Sequence, residues 1–157
     1  MNKNFFFSHR VDTKLREDVR NALAKMDFLK NKIISLYIVD DDQVFSKYLA
    51  SAINRDFKNV TIQVFSSGRD AIDQFYNSPP DLVILDINMP ELNGQKVAKI
   101  MNSIHEIGIP ILFVSANNRS KDDLKFLEIE SAFEFLSKPV DKNQLKLKVK
   151  KLIAKAA

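Results

Sequence analysis

From Ile33 onward the chain alternates between short apolar runs and stretches of helical periodicity. The runs Ile33–Val39, Val60–Phe65, Leu82–Asp86, Ile109–Ser115 and Ala132–Leu136 predict strands. Amphipathic segments near 43–57, 68–77, 94–105, 119–131 and 142–155 predict the helices that follow them. Five strand–helix units in succession predict an α/β domain on a parallel sheet. The first, third and fourth runs are almost continuously apolar, as expected where helices cover both faces. The second alternates Val60, Ile62 and Val64 with Thr61 and Gln63; the fifth alternates Phe133 and Phe135 with Ala132 and Glu134. These two are the expected edges, which fits the order 2-1-3-4-5 of a flavodoxin-like, doubly wound five-stranded sheet.

That order has a chemical consequence. Strands one and three become neighbours whose connections diverge, and ligands bind outside the carboxyl ends of strands at such a switch point. Asp40 and Asp41 follow strand one, Asp86 ends strand three, Ser115 ends strand four and Lys138 follows strand five. Like charges packed together repel, so Asp40-Asp41-Asp42 and Asp86 need a positive species between them. A hard dication with oxygen ligands answers that need, and Mg²⁺ commonly takes one or two carboxylates and keeps several waters. Asp41 and Asp86 are the first candidates as ligands, with Asp40 positioning a metal-bound water. Lys138 adds a compact cation able to pair with a carboxylate or a phosphoryl oxygen. Carboxylates, a dication, a lysine and a hydroxyl around one cleft suit phosphoryl transfer, and a carboxylate can itself be the acceptor. Asp42 is expected to cap the next helix.

Composition narrows the alternatives. The chain has 157 residues, 45% hydrophobic and 28% charged, which fits one globular domain with a short appendage. It has no cysteine, so disulfides, thiolate chemistry and Cys-ligated zinc are excluded. His9 and His105 are too few for a histidine-rich metal site, and His105 is expected near a helix C-terminus. Gly68, Gly94 and Gly108 are the only glycines, so neither a P-loop nor a dinucleotide fingerprint is present. No run approaches the ~18 apolar residues of a membrane span, and residues 1–10 do not read as a signal peptide, so a cytoplasmic protein is expected. Residues 1–32 carry eight Lys/Arg against four Asp/Glu, whereas residues 33–157 carry 16 of each. The basic balance therefore belongs to the N-terminal segment, and direct nucleic-acid binding by the whole protein is not expected from its pI.

The segments VDDD at 39–42, LVILDINMPELNG at 82–94, FVSAN at 113–117 and FLSKPV at 135–140 resemble the receiver domain of two-component response regulators, CheY-like and bacterial. The likeness runs from about Ile33 to the C-terminus. It implies a phosphorylation-activated switch rather than an enzyme with an external product, in which Asp86 accepts a phosphoryl group from a sensor histidine kinase or histidine phosphotransfer protein. Asp40 and Asp41 look like its acidic pair, and the Asn88 carbonyl like the third protein ligand of Mg²⁺ beside Asp86. Ser115 matches the switch hydroxyl, Phe135 the coupled aromatic and Lys138 the phosphate-pairing lysine, with Lys138–Pro139 cis by analogy. Asn88 and Asn117 match positions that tune autodephosphorylation. The output surface would be strand four, the helix near 119–131 and strand five. Phe135, unlike a tyrosine, offers no hydroxyl.

Two other classes compete. Asp40, Asp42 and Val44 also spell Asp-x-Asp-x-Val, similar to the nucleophile motif of haloacid-dehalogenase-type phosphatases, with Asp40 as nucleophile and Asp42 as acid–base. Those enzymes need a further acidic pair after their lysine, and only Asp141 follows Lys138. An unphosphorylated docking pseudo-receiver is the third reading, against which the intact acidic set argues. No DNA-binding domain follows the last predicted helix, so the chain is expected to be a single-domain regulator or part of a longer one.

Residues 1–32 lie outside the family pattern and are expected to form a helical extension. Leu15, Val19, Ala22, Met26, Leu29 and Ile33 are spaced 4, 3, 4, 3 and 4, the rhythm of coiled-coil a and d positions. A helix of this length is marginal alone. Its stripe needs a cover, either a second copy in a homodimer or the receiver itself. The lysines 142, 146, 148, 150, 151 and 155 read as the solvated face of the last helix.

Overall fold

The computed structural model describes residues 13–23, 32–105, 108–116 and 131–155. The chain divides into two units, Met1–Lys32 and Ile33–Ala157. In the first unit, residues 13–23 form a helix, α1. Its side chains are exposed throughout, Leu15, Val19, Ala22 and Leu23 among them. Met26 and Leu29 lie outside the described residues.

The second unit is built on β1 (Ile34–Val39), β2 (Val60–Phe65), β3 (Leu82–Asp86), β4 (Ile111–Ser115) and β5 (Phe133–Ser137). All neighbours are parallel, in the order β2-β1-β3-β4-β5. The helices are α2 (Gln43–Asp56), α3 (Gly68–Asn77), α4 (Gly94–Ile104) and α5 (Lys142–Ile153). Each begins at a residue whose side chain accepts N–H groups of the first turn: Asp42, Ser67, Asn93 and Asp141. Such a cap satisfies donors that the helix itself cannot, so each strand-to-helix loop ends where its polar residue falls. His105 is the C-cap of α4. Asn117 and the helix expected near 119–131 lie outside the described residues. Among the described residues no helix is long and apolar enough to cross a membrane.

The two faces of the sheet each carry a core layer. Tyr37 and Val39 of β1 pack with Ala71, Phe75, Val97 and Met101 of α3 and α4. Leu36 and Ile38 pack with Leu49, Ile53, Leu145 and Val149 of α2 and α5. Every residue of β3 and β4 is buried, the outcome expected for strands covered on both sides.

The two alternating strands are the edges, as expected, but their burial does not simply follow the apolar pattern. On β2, Val64 shares the nominal apolar side with Val60 and Ile62 yet is 48% exposed. On β5 the burial runs opposite to the apolar pattern. Glu134 and Leu136 are buried, whereas Phe133 and Phe135 are half-buried against the other core layer. Glu134 is tolerated inside because Lys148 donates to its Oε2 at 3.1 Å and Lys151 to its Oε1. A buried carboxylate without such partners would be costly. The lysines of α5 are therefore not a uniform solvated face. Lys146 also reaches Asp56 at 3.8 Å, and the Lys142 ammonium lies 5.9 Å from the Tyr48 ring centroid.

Candidate functional site

The carboxyl ends of β1, β3, β4 and β5 bring Asp40, Asp86, Ser115 and Lys138 to one rim. Asp40 is fixed by its neighbours. Its N–H donates to Phe65 O of β2 at 3.0 Å, its carbonyl accepts from the Ser46 hydroxyl, and its Oδ1 accepts the Asp42 N–H at 2.9 Å. Asp42 itself turns to α2, where Oδ1 accepts from Val44 N and Phe45 N at 3.0 Å each. The aspartate triplet thus separates into one buried member, one exposed member and one helix cap. An acid–base role for Asp42 competes with that cap.

Asp86 is held from below by α4. Gly94 N donates to Ile87 O at 3.0 Å, and a Cβ on Gly94 would lie 2.0 Å from Asp86 O. Only glycine permits this approach, which sets the start of α4 directly against the Asp86 backbone. Asp86 Oδ1 accepts the Asn88 N–H at 3.2 Å, so the loop after β3 curls back over its own acid. The Asn88 side-chain Nδ2 donates to Ser115 Oγ at 2.9 Å. Ser115 is fully buried, and its carbonyl accepts the Lys138 N–H at 2.8 Å, tying β4 to the residue that crosses the site. The Lys138–Pro139 peptide is cis.

Lys138 Nζ donates to Asp40 Oδ2 at 2.7 Å and to Asp86 Oδ2 at 3.1 Å. It also lies 4.2 Å from the centroid of the Phe45 ring. Burial pushes the Asp40 carboxyl above the usual carboxylate range; the Lys138 hydrogen bond and the Asp42 amide pull it back without cancelling that shift, and the Asp86 charge adds to it. Burial works against the Lys138 charge too, but the hydrogen bond and charge of Asp40, then of Asp86, outweigh it and hold the ammonium above the ordinary lysine range.

Carboxylate oxygens of Asp40, Asp41 and Asp86 all lie within 4.8 Å of one another. Three acids face one ammonium, and every candidate ligand atom is oxygen, a donor set that suits a small hard cation. Asp41 is exposed while Asp40 and Asp86 are buried, so solvent reaches the cluster from the Asp41 side. The Asn88 backbone is already drawn against Asp86.

The sequence brought Asp40, Asp41, Asp86, Asn88, Ser115 and Lys138 together as candidates, and the fold gathers them. Phe135 sits on β5, paired in register with Phe113, and is half-buried. Phe45 and Gly94 were missed. Phe45 had a signal, since a cap at Asp42 puts it on the first turn of α2, facing the carboxyl ends. Gly94 had its being one of three glycines and its place at the end of the segment 82–94.

A family model described as "Response regulator receiver domain" matches residues 36–150. Similar proteins include the transcriptional regulatory protein PcoR of Escherichia coli, 32% identical over 77% of this chain and 52% of its own length. The response regulator MprA of Mycolicibacterium vanbaalenii is 27% identical over 76% of this chain and 50% of its own length. The chain thus spans about half the length of these relatives. Among solved structures, a CheY-like response regulator receiver domain protein from Methanospirillum hungatei superposes with a TM-score of 0.69 at 16% identity, covering 80% of this chain and 97% of the other. A receiver domain of a Francisella response regulator gives 0.68 at 21%, covering 79% and 99%. At these identities the two structures speak to the fold.

Proposed function

The chain belongs to the response regulator receiver domain family, and from that premise we propose that it is a phosphorylation-activated switch whose acceptor is Asp86. The observation that carries this reading is the bridge made by Lys138, whose Nζ joins Asp40 and Asp86 beside a third carboxylate. The donor is a phosphohistidine on a sensor histidine kinase or histidine phosphotransfer protein. An Asp86 oxygen attacks phosphorus, the P–N bond breaks, and the imidazole leaves, giving an acyl phosphate on Asp86. Lys138 pairs with a phosphoryl oxygen as it exchanges one of its two carboxylates. The Ser115 hydroxyl, whose oxygen accepts from Asn88 in this state, is the group that donates to the phosphoryl oxygens once they arrive.

Mg²⁺ would be held by Asp40, Asp41, Asp86 and the Asn88 carbonyl. It would supply charge neutralisation between the acids and the incoming phosphoryl oxygens. The chemistry is confined to the protein's own acyl phosphate, with no external product. The output surface is β4, β5 and the residues between them, with Ser115 and Phe135 as the elements that respond. Asn88 and Asn117 tune hydrolysis. The setting is the cytoplasm.

The receiver is residues 33–157, and residues 1–32 are an appended dimerisation element. Support for a second copy comes from the exposed Leu15, Val19 and Ala22, which lie at self-complementary heptad spacing. Val19→Glu in the full chain should shift sedimentation from dimer to monomer; an unchanged dimer would remove this role from the helix.

The acceptor is tested by incubation with Mg²⁺ and a small phosphodonor. Label should appear on the wild type and vanish in Asp86→Asn. Label that survives Asp86→Asn but not Asp40→Asn would make Asp40 the nucleophile, as in the phosphatase reading. No label on the wild type would favour a docking module.

A further inference from the structure

The Lys138 ammonium meets two carboxylates and one neutral aromatic ring in the site. Asp40 Oδ2 and Asp86 Oδ2 are charged partners at 2.7 and 3.1 Å; the Phe45 ring face is 4.2 Å from Nζ, centroid to nitrogen. The two acids are the groups that a divalent cation and a phosphoryl group would draw on. An aromatic face holds a cation through its quadrupole and is consumed by neither.

Phe45 is itself well braced. Its N–H donates to the Asp42 cap at 3.0 Å, and its ring meets Tyr48 with centroids 6.1 Å apart. The Tyr48 hydroxyl in turn donates to Val140 O at 3.4 Å, two residues beyond Lys138. α2 therefore meets the segment after β5 at two points, Phe45 at Lys138 and Tyr48 at Val140. We propose that Phe45 is a positioning residue for phosphorylation of Asp86, its ring keeping the Lys138 ammonium in the crevice while Asp40 and Asp86 are engaged by other charges. The inference rests on Asp86 being the acceptor. Phe45 also packs against the core layer of α2 and α5, so its test must separate a ring face from mere apolar volume.

Full-length wild type, Phe45→Leu and Phe45→Tyr are compared in saturation labelling with phosphoramidate and Mg²⁺, each also in a Lys138→Met background. Mg²⁺ affinity is measured separately by calorimetry. Phe45→Leu should lower the maximal labelling rate roughly three- to thirtyfold, the range of one partly desolvated cation–π contact. Its Mg²⁺ affinity should stay within about twofold, since no oxygen ligand is removed. Phe45→Tyr should restore the rate, and in the Lys138→Met background Phe45→Leu should have no further effect. Equal rates for the Leu and Tyr variants, or an undiminished Leu effect without Lys138, would overturn the proposal. NMR of the Lys138 ammonium gives a readout independent of phosphorylation, because the ring shifts that signal in the wild type and not in Phe45→Leu. A wild type that shows the shift but takes no label would refute the acceptor assignment, and Phe45's role with it. A labelled wild type without the shift would refute Phe45's role alone.

Discussion

The Asn88 side-chain amide donates to Ser115 Oγ across 2.9 Å, joining the loop after β3 to the end of β4. One residue is exposed and the other fully buried, so the bond links the solvent side of the site to its wall. Asn88→Ala and Ser115→Ala should each cost about 1 kcal/mol or less, because water can replace the partner on the Asn88 side. Their double-mutant coupling should be about 0.5–1.5 kcal/mol by urea unfolding. Strict additivity would mean that the two side chains do not meet in solution.

Gly94→Ala tests how Asp86 is positioned. The added Cβ would sit 2.0 Å from Asp86 O and 3.0 Å from Ile87 Cα, both backbone atoms that cannot swing aside. We expect a loss of about 2–4 kcal/mol in unfolding free energy, at the severe end for one methyl group. Labelling of Asp86 in the folded fraction should fall as well. A wild-type urea midpoint would contradict the close contact.

The raised pKa values of Asp40 and Lys138 set a pH dependence. A carboxyl raised on folding contributes stability that is complete below its unfolded value, roughly pH 4, and is lost as pH rises through its folded value. Without metal, the wild type should therefore gain stability relative to Asp40→Asn as the pH is lowered from 7 through that window. Lys138 behaves likewise at the alkaline end, with its contribution intact below about pH 10.5 and lost above it. Urea unfolding of wild type, Asp40→Asn and Lys138→Met across pH checks both limbs. A wild type that weakens relative to Asp40→Asn on acidification would reverse the sign assigned to Asp40.

At neutral pH the charged acidic cluster should make Mg²⁺ stabilising. At a concentration one hundred times its dissociation constant the gain is about 2.7 kcal/mol. Asp41→Asn should abolish most of it, and because Asp41 is exposed the metal-free fold should be little affected. Thermal unfolding with and without Mg²⁺ measures both effects.

Glu134→Gln should destabilise the domain by about 1–2 kcal/mol, since a buried carboxylate that accepts from two lysines loses its charge-assisted bonds. The penalty is limited because Lys151 is half exposed and returns to water. A neutral outcome would mean that α5 is held on β5 by its apolar residues alone.

Much of the domain was legible from the chain because its signals are local. In the second unit, apolar runs and helical periodicity gave elements whose observed ends differ by at most two residues at each described strand and helix. The contrast between continuous and alternating strands gave the sheet order, and that order alone brought Asp40, Asp86, Ser115 and Lys138 to one rim. What the chain could not disclose depends on depth and on partners far away in sequence. A period-two pattern marks two faces but not which lies deeper, so the alternation of β5 alone does not disclose that Glu134 is buried, with two α5 lysines to keep it inside. The divided roles of Asp40 and Asp42 arise from one backbone turn, whereas the Phe45 ring under Lys138 and the bare Gly94 against Asp86 arise from elements that meet only after the sheet has formed. Periodicity determined which elements exist and in what order they lie; only the packing of α2 and α4 against the sheet decided which atoms touch the acids, because contact distance is a property of neighbours and not of sequence spacing.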